Sequence, residues 1–199
     1  MNGKQVWKPG TMLNPVPVVM VSCGTMGEKT NIITVAWAGT ICSDPAMLSI
    51  SVRKERFSHK MIVEKGKFVV NLVTTKLAKI ADWCGVKSGK DYDKFLETGL
   101  TAEKAETSDC PIISQSPVNI ECTVDKIIEL GSHDMILAKV DAVDVSDKLI
   151  DPKTGALQLY KADLAVYSHG FYYNLGYEIG RFGFSVKKNN TPTNKTRKK

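Results

Sequence analysis

Residues 117–146, PVNIECTVDKIIELGSHDMILAKVDAVDVS, constrain this chain more than any other stretch. Val118, Ile120, Cys122 and Val124 alternate with polar residues, and so do Ile136, Ala138, Val140 and Ala142. A two-residue apolar period places side chains on opposite faces of an extended strand, and no helix sustains it. Between the two runs lies GSHD, a turn-forming cluster. The pattern predicts two long antiparallel strands joined as a hairpin.

Shorter segments agree with a β-rich chain. VPVVMVSC, NIITVAWAG, AMLSISV and KFVVNLV are rich in β-branched residues and are bounded by Gly, Pro, Asn or Asp, as strands are. Two helices are expected. SHKMIVEKG offers Ser58 as N-cap and Gly66 as the residue after its end. TTKLAKIADWCG places Leu77, Ile80, Ala81 and Cys84 on one face, with Gly85 to stop it. The polar stretch GVKSGKDYDKFLETGL reads as loop with one helical turn. Many strands and few helices argue for an antiparallel barrel or sandwich, since strands and helices do not alternate as a doubly wound sheet requires.

Charge narrows the partners. The net charge of +6 resides in the last residues: Lys187, Lys188, Lys195, Arg197, Lys198 and Lys199. Removing these six from 27 basic residues leaves 21, equal to the 21 acids. The body is therefore neutral, without the basic-aromatic stripe of a nucleic-acid binder, and no specific nucleic-acid partner is expected. Residues 187–199 read as a basic, disordered tail, and residues 1–186 as a single domain. Apolar runs fall short of the roughly 18 residues of a membrane span, and the first residues lack the apolar core of a secretory leader. The expectation is a cytoplasmic protein with no membrane partner.

Chemistry is conspicuous by what is missing. Neither a dinucleotide glycine fingerprint nor a phosphate-loop motif occurs, and no nucleophile elbow or zinc-protease signature is present. The five cysteines, Cys23, Cys42, Cys84, Cys110 and Cys122, include no C-x-x-C pair. They read as reduced, mostly buried apolar groups, and no metal site is expected. His59, His133 and His169 are scattered. Any enzyme built on this chain would leave the reaction to a cofactor.

One stretch suggests where a cofactor would lie. After the strand AMLSISV come Arg53, Lys54, Glu55 and Arg56, then Phe57, Ser58 and His59 at a helix start. A helix head supplies free N–H groups and positive potential, and nearby cations and hydroxyls complete a phosphate site. Any of Arg53, Lys54 and Arg56 can supply the charge, and His59 can equally face solvent. The alternative is a surface turn of solvated cations with Ser58 as a plain cap.

Residues 30–62, TNIITVAWAGTICSDPAMLSISVRKERFSHKMI, resemble the first conserved block of the flavin reductase-like family, the FMN-binding split barrels, and its flavoredoxin-type members in particular. The similarity continues through KFVVNLV, SGKDYDKF, SPVNIEC, GSHDMILAKV and YYNLGYEIGRFGFS, from about residue 14 to 186. It implies a mainly β fold, an antiparallel Greek-key split β-barrel with a few short helices, a homodimer, and FMN near the subunit interface. Asn31, Thr34 and Trp37 match a motif that lies along the flavin ring in relatives. Ser51, Val52 and Arg53 match a strand end that meets the ribityl chain and phosphate, and Ser58 a hydroxyl that meets the phosphate. Lys94 and His133 match residues near the flavin, and Tyr167 or Phe171 would supply an aromatic wall. The implied activity is an FMN oxidoreductase with NADH or NADPH as donor and a small molecule or protein as redox acceptor. An electron-transfer flavoprotein with little direct nicotinamide activity is the alternative.

Overall fold

The computed structural model describes residues 3–186. The expectation of a basic tail over residues 187–199 lies outside the described residues.

The strands are β1 (Val16–Pro17), β2 (Val19–Gly24), β3 (Thr30–Val35), β4 (Ala38–Ser43), β5 (Ala46–Arg53) and β6 (Lys67–Leu72). Further along come β7 (Ala102–Lys104), β8 (Pro111–Ile113), β9 (Val118–Leu130), β10 (His133–Val145), β11 (Ala165–Ser168) and β12 (Phe171–Asn174). Three helices join them: α1 (Phe57–Lys65), α2 (Ala78–Val86) and α3 (Lys94–Thr98). The long hairpin is present as expected: β9 and β10 pair antiparallel, and Gly131 begins their two-residue turn at φ +61°, the glycine-first pattern of a type II′ hairpin.

The main sheet has seven strands in the order β3-β2-β6-β9-β10-β5-β4. β3 and β4 stand at opposite edges, yet only Ala36 and Trp37 separate them in sequence. Laid flat, such a sheet would be about 29 Å wide at roughly 4.8 Å per neighbouring pair. From Val35 to Ala38 the chain reaches no more than about 11 Å, three Cα steps of about 3.8 Å. The sheet must therefore roll up until its edges nearly meet. They do not pair in any described ladder, so the barrel is split along that seam. The amide of Ser51, donating to the Trp37 carbonyl at 2.8 Å, ties the connection back to β5.

Alternation sorts the side chains. Val19, Val21, Ile33, Ile50, Val52, Val70 and Ile136 fill the barrel. Ile62 of α1 joins this interior, so α1 plugs one end of the barrel. The neighbours one residue away, Val18, Met20 and Ile32, face outward to a second core with Leu77, Ala81 and Cys84. Hence β2 is buried along its whole length.

The expected end of the second helix needs correcting. Gly85 does not stop the second helix, which continues to Val86. A Cβ at Gly85 would lie 3.2 Å from Cβ of Thr34, and the Thr34 hydroxyl donates to the Ala81 carbonyl. The glycine lets α2 lie close on β3. Polar residues early in β9 are buried as well as apolar ones. Asn119 and Glu121 are buried, because the segment before β9 covers that face. Glu121 accepts hydrogen bonds from the amides of Glu106 and Thr107 at 2.6 and 2.8 Å.

Candidate functional site

β5 ends at Arg53 and α1 begins at Phe57, so residues 53–56 turn at the mouth of the barrel beside the seam. A cavity of about 500 Å³ opens there, lined among others by Asn31, Arg53, Arg56, Ser58, Gly89 and Lys94. A smaller one of about 150 Å³ runs along the seam past Thr34, Trp37, Ser51, Val52 and His133. Ile33, Arg53 and Arg56 border both, which makes the two a single cleft.

At the head of α1, Ser58 is not the cap expected from the sequence. Arg56 holds the N-cap position in an extended conformation, and no side chain caps the first turn. Ser58 instead lies one residue inside the helix, fully buried, and its hydroxyl accepts a 2.7 Å hydrogen bond from the side-chain amide of Asn31. The other half of that amide, Oδ1, is buried with no hydrogen-bond partner among the described residues. Native proteins seldom leave a buried polar atom unsatisfied, so the atom marks a place where a donor is wanted. Gly89 preserves this arrangement, since a Cβ there would fall 2.1 Å from Oδ1.

The three cations take different directions. Arg53 and Arg56 line the cleft, whereas Lys54 reaches Glu129 at 2.7 Å and lies 3.4 Å from Asp134. His59 lines neither cavity and its side chain is only 14% exposed; its Nε2 lies 2.8 Å from Oδ2 of Asp134. With an uncapped helix head and two guanidinium groups, the mouth is arranged to receive an anion.

Lys94 is no solvated loop lysine. As the first residue of α3 it is 3% exposed, and its ammonium donates to the carbonyls of Ile32 and Cys84 at 2.7 and 2.6 Å. Burial pushes its pKa below the usual lysine value, and the Arg56 charge adds to that. Two of its three protons are used, leaving one for the cleft. Burial likewise raises the neighbouring thiols, Cys84 to about 11 and Cys23 to about 12, so both stay protonated near neutrality.

Nine of the ten candidate residues thus border one cleft. Tyr167 does not: it packs edge-on against Tyr172, ring centres 5.6 Å apart, within the second core. Phe171 is mostly exposed on β12. Sequence reasoning missed the contribution of residues 85–89, GVKSG, whose glycines carry the signal of close backbone approach but do not say to what.

The residues present fit a phosphorylated flavin. The orphaned Asn31 oxygen asks for a donor, Gly89 packs closely against it at the cleft wall, and Arg53, Arg56 and the α1 head match a phosphate. Trp37 provides an apolar wall at the seam.

A split antiparallel barrel with an anion-receptive cleft at its seam defines the class of fold. The model of the flavin reductase like domain matches residues 11–176, and the chain belongs to that family. Flavoredoxin of Desulfovibrio vulgaris (Miyazaki F) superposes with a TM-score of 0.84 at 28% identity, covering 93% of this chain and 100% of its own. An uncharacterised protein of Archaeoglobus fulgidus is 29% identical over 141 residues, 71% of this chain and 78% of that protein. An NADH-dependent FMN reductase of Streptomyces nodosus subsp. asukaensis is 23% identical over 150 residues, 75% of this chain and 80% of that protein. The fold expected from the sequence is thereby shown: a mainly β, split-barrel flavoprotein of oxidoreductase type. Among the described residues no helix is long and apolar enough to cross a membrane.

Proposed function

We propose that this chain binds FMN in the seam cleft and acts as an NAD(P)H-dependent FMN oxidoreductase that passes electrons to a small-molecule or protein acceptor. The observation that carries the reading is the buried, unpaired Oδ1 of Asn31 beside two arginines and an uncapped helix head. FMN, when bound, would accept hydride from the nicotinamide and release electrons onward. Arg53, Arg56, Ser58 and the first-turn amides of α1 would hold its phosphate. Ser51 and Val52 would border the ribityl chain, and Asn31, Thr34, Trp37 and His133 the ring. Because the Thr34 hydroxyl is committed to Ala81, Thr34 would contribute backbone and shape rather than its hydroxyl. Lys94 would bring fixed positive charge to a water-poor wall, where it favours negative charge on a bound ligand.

Likeness to a flavoredoxin favours one second reading, an electron carrier with little direct NAD(P)H activity. The deciding experiment is the visible spectrum of the purified protein before and after anaerobic NADH, then NADPH. Rapid bleaching of a yellow protein by either donor supports the reductase. A yellow protein untouched by both supports the carrier. A colourless protein that takes up no added FMN overturns both.

A homodimer belongs to the same proposal. Exposed Leu13, Leu175, Tyr177, Ile179 and Phe182 on the two terminal segments support it, because so much apolar surface favours burial. Light scattering at micromolar concentration would measure it.

A further inference from the structure

We propose that Asp134 is a positioning residue: its carboxylate, held between His59 and Lys54, fixes the arginine loop 53–56 in the conformation that receives the phosphate. The inference rests on the FMN reading above.

Asp134 is the second residue of β10 and points the same way as Ile136 and Ala138, toward the barrel interior. It is nearly fully buried, and a carboxylate at the end of an apolar row is costly unless it is partnered. Directly across on β5 stands Val52, the residue before Arg53; across on β9 stands Glu129. Oδ2 lies 2.8 Å from Nε2 of His59, on the first turn of α1. Oδ1 accepts no hydrogen bond among the described residues; it is paired by charge alone with Nζ of Lys54 at 3.4 Å, and Lys54 itself spans to Glu129. One buried carboxylate therefore touches the residue after Arg53 and the turn that follows Arg56.

The loop's other ties are mostly at its ends, where Arg53 pairs with His133 in the sheet and the Arg56 carbonyl accepts from the His59 amide at 2.9 Å. The amide of Arg56 donates to the Arg53 carbonyl at 3.0 Å, and the Arg53 guanidinium meets only the exposed Glu55, at 3.3 Å, among the described residues. Arg53, Lys54 and Arg56 repel one another at the positive end of a helix, so an unclamped loop would spread its cations into water. Holding them in place beforehand removes an ordering cost from binding.

Simple electrostatics predicts the opposite sign. Asp134 is an anion near a phosphate site, and on charge alone its removal would strengthen FMN binding. Flavin binding by the full chain, followed by quenching of flavin fluorescence with FMN and with riboflavin, separates the ideas, because riboflavin lacks the phosphate. We expect Asp134→Asn and His59→Leu each to raise the Kd for FMN about tenfold while changing riboflavin by less than about twofold. His59→Gln should bind FMN within about threefold of the parent, since its side-chain nitrogen is as many bonds from Cα as Nε2.

Unchanged or tighter FMN binding by Asp134→Asn overturns the proposal, as does parallel weakening of both flavins. If Asp134→Asn fails to fold, the two His59 variants decide: equal FMN-to-riboflavin ratios in Leu and Gln refute the clamp. A parent protein that binds neither flavin overturns the FMN reading itself, a result distinct from any pattern among the variants.

Discussion

Asn31 of β3 and Ser58 of α1, 27 residues apart, are joined by a buried 2.7 Å hydrogen bond in which the Asn31 amide donates. The bond ties the edge of the split sheet to the head of the helix that plugs it. It also leaves the asparagine's carbonyl oxygen buried and unpaired in the cleft wall, against Gly89.

Replacing Asn31 by Ala should therefore affect both stability and ligand. We expect a loss of about 1–2 kcal/mol in urea unfolding from the broken buried hydrogen bond, and FMN affinity reduced about tenfold. The double change Asn31→Ala with Trp37→Ala should weaken FMN further. Unchanged affinity in the double variant would place the flavin elsewhere.

Glycine positions supply a second test. Gly89→Ala forces Asn31 out of place, because the new Cβ would sit 2.1 Å from Oδ1 and 2.3 Å from Cγ. It should cost about 1–3 kcal/mol and abolish most flavin uptake. Gly85→Ala meets only Thr34, at 3.2 Å, and gains helix propensity of about 0.5–1 kcal/mol, so its net effect should stay within about 1 kcal/mol. Equal behaviour of the two variants would count against the cradle.

The mouth cations should act through the phosphate. Arg53→Ala and Arg56→Ala should each raise the Kd for FMN by roughly 10- to 150-fold, as expected for one charge-assisted hydrogen bond of about 1.5–3 kcal/mol. Riboflavin affinity should stay nearly constant. Equal losses for the two flavins would remove the arginines from the phosphate site.

Lys94 makes stability depend on pH in a definite direction. Its pKa is depressed on folding by burial. Between that value and the unfolded value of about 10.4, the unfolded chain holds the proton more tightly, so folding gains stability from this residue as pH rises. Parent and Lys94→Met should be compared by urea unfolding at pH 7 and pH 9.5. The parent should gain relative to the variant at the higher pH; a pH-independent difference would contradict the burial of a charged lysine.

Thiol reactivity tests the two cores. Burial raises Cys23 and Cys122 to about 12 and Cys84 to about 11, and raises Cys110 as well, whereas Cys42 is partly exposed. A disulfide reagent at pH 7.5 should titrate about one thiol in the folded protein and all five in denaturant. Rapid reaction of several thiols in the native state would mean that the cores open.

The sequence by itself determined the β9–β10 hairpin, the short β-branched strands, the approximate helices and the family. Each is a local matter: a period of two or 3.6, a turn glycine, a run of motif residues close together in the chain. It also assembled most of the cleft, because Asn31 to Ser58 is one continuous block. Only the tertiary structure decided where those side chains point. Arg53 and Arg56 face the cleft while Lys54 turns to Glu129, Ser58 accepts from Asn31 instead of capping, and Lys94 is buried under Ile32 and Cys84. Gly85 serves contact with Thr34, and His59 meets Asp134 from 75 residues away. The reason is physical. Periodicity states which residues share a face, but what that face meets depends on how the seven-stranded sheet rolls, and β3 and β4 are brought together by pairings across the whole chain.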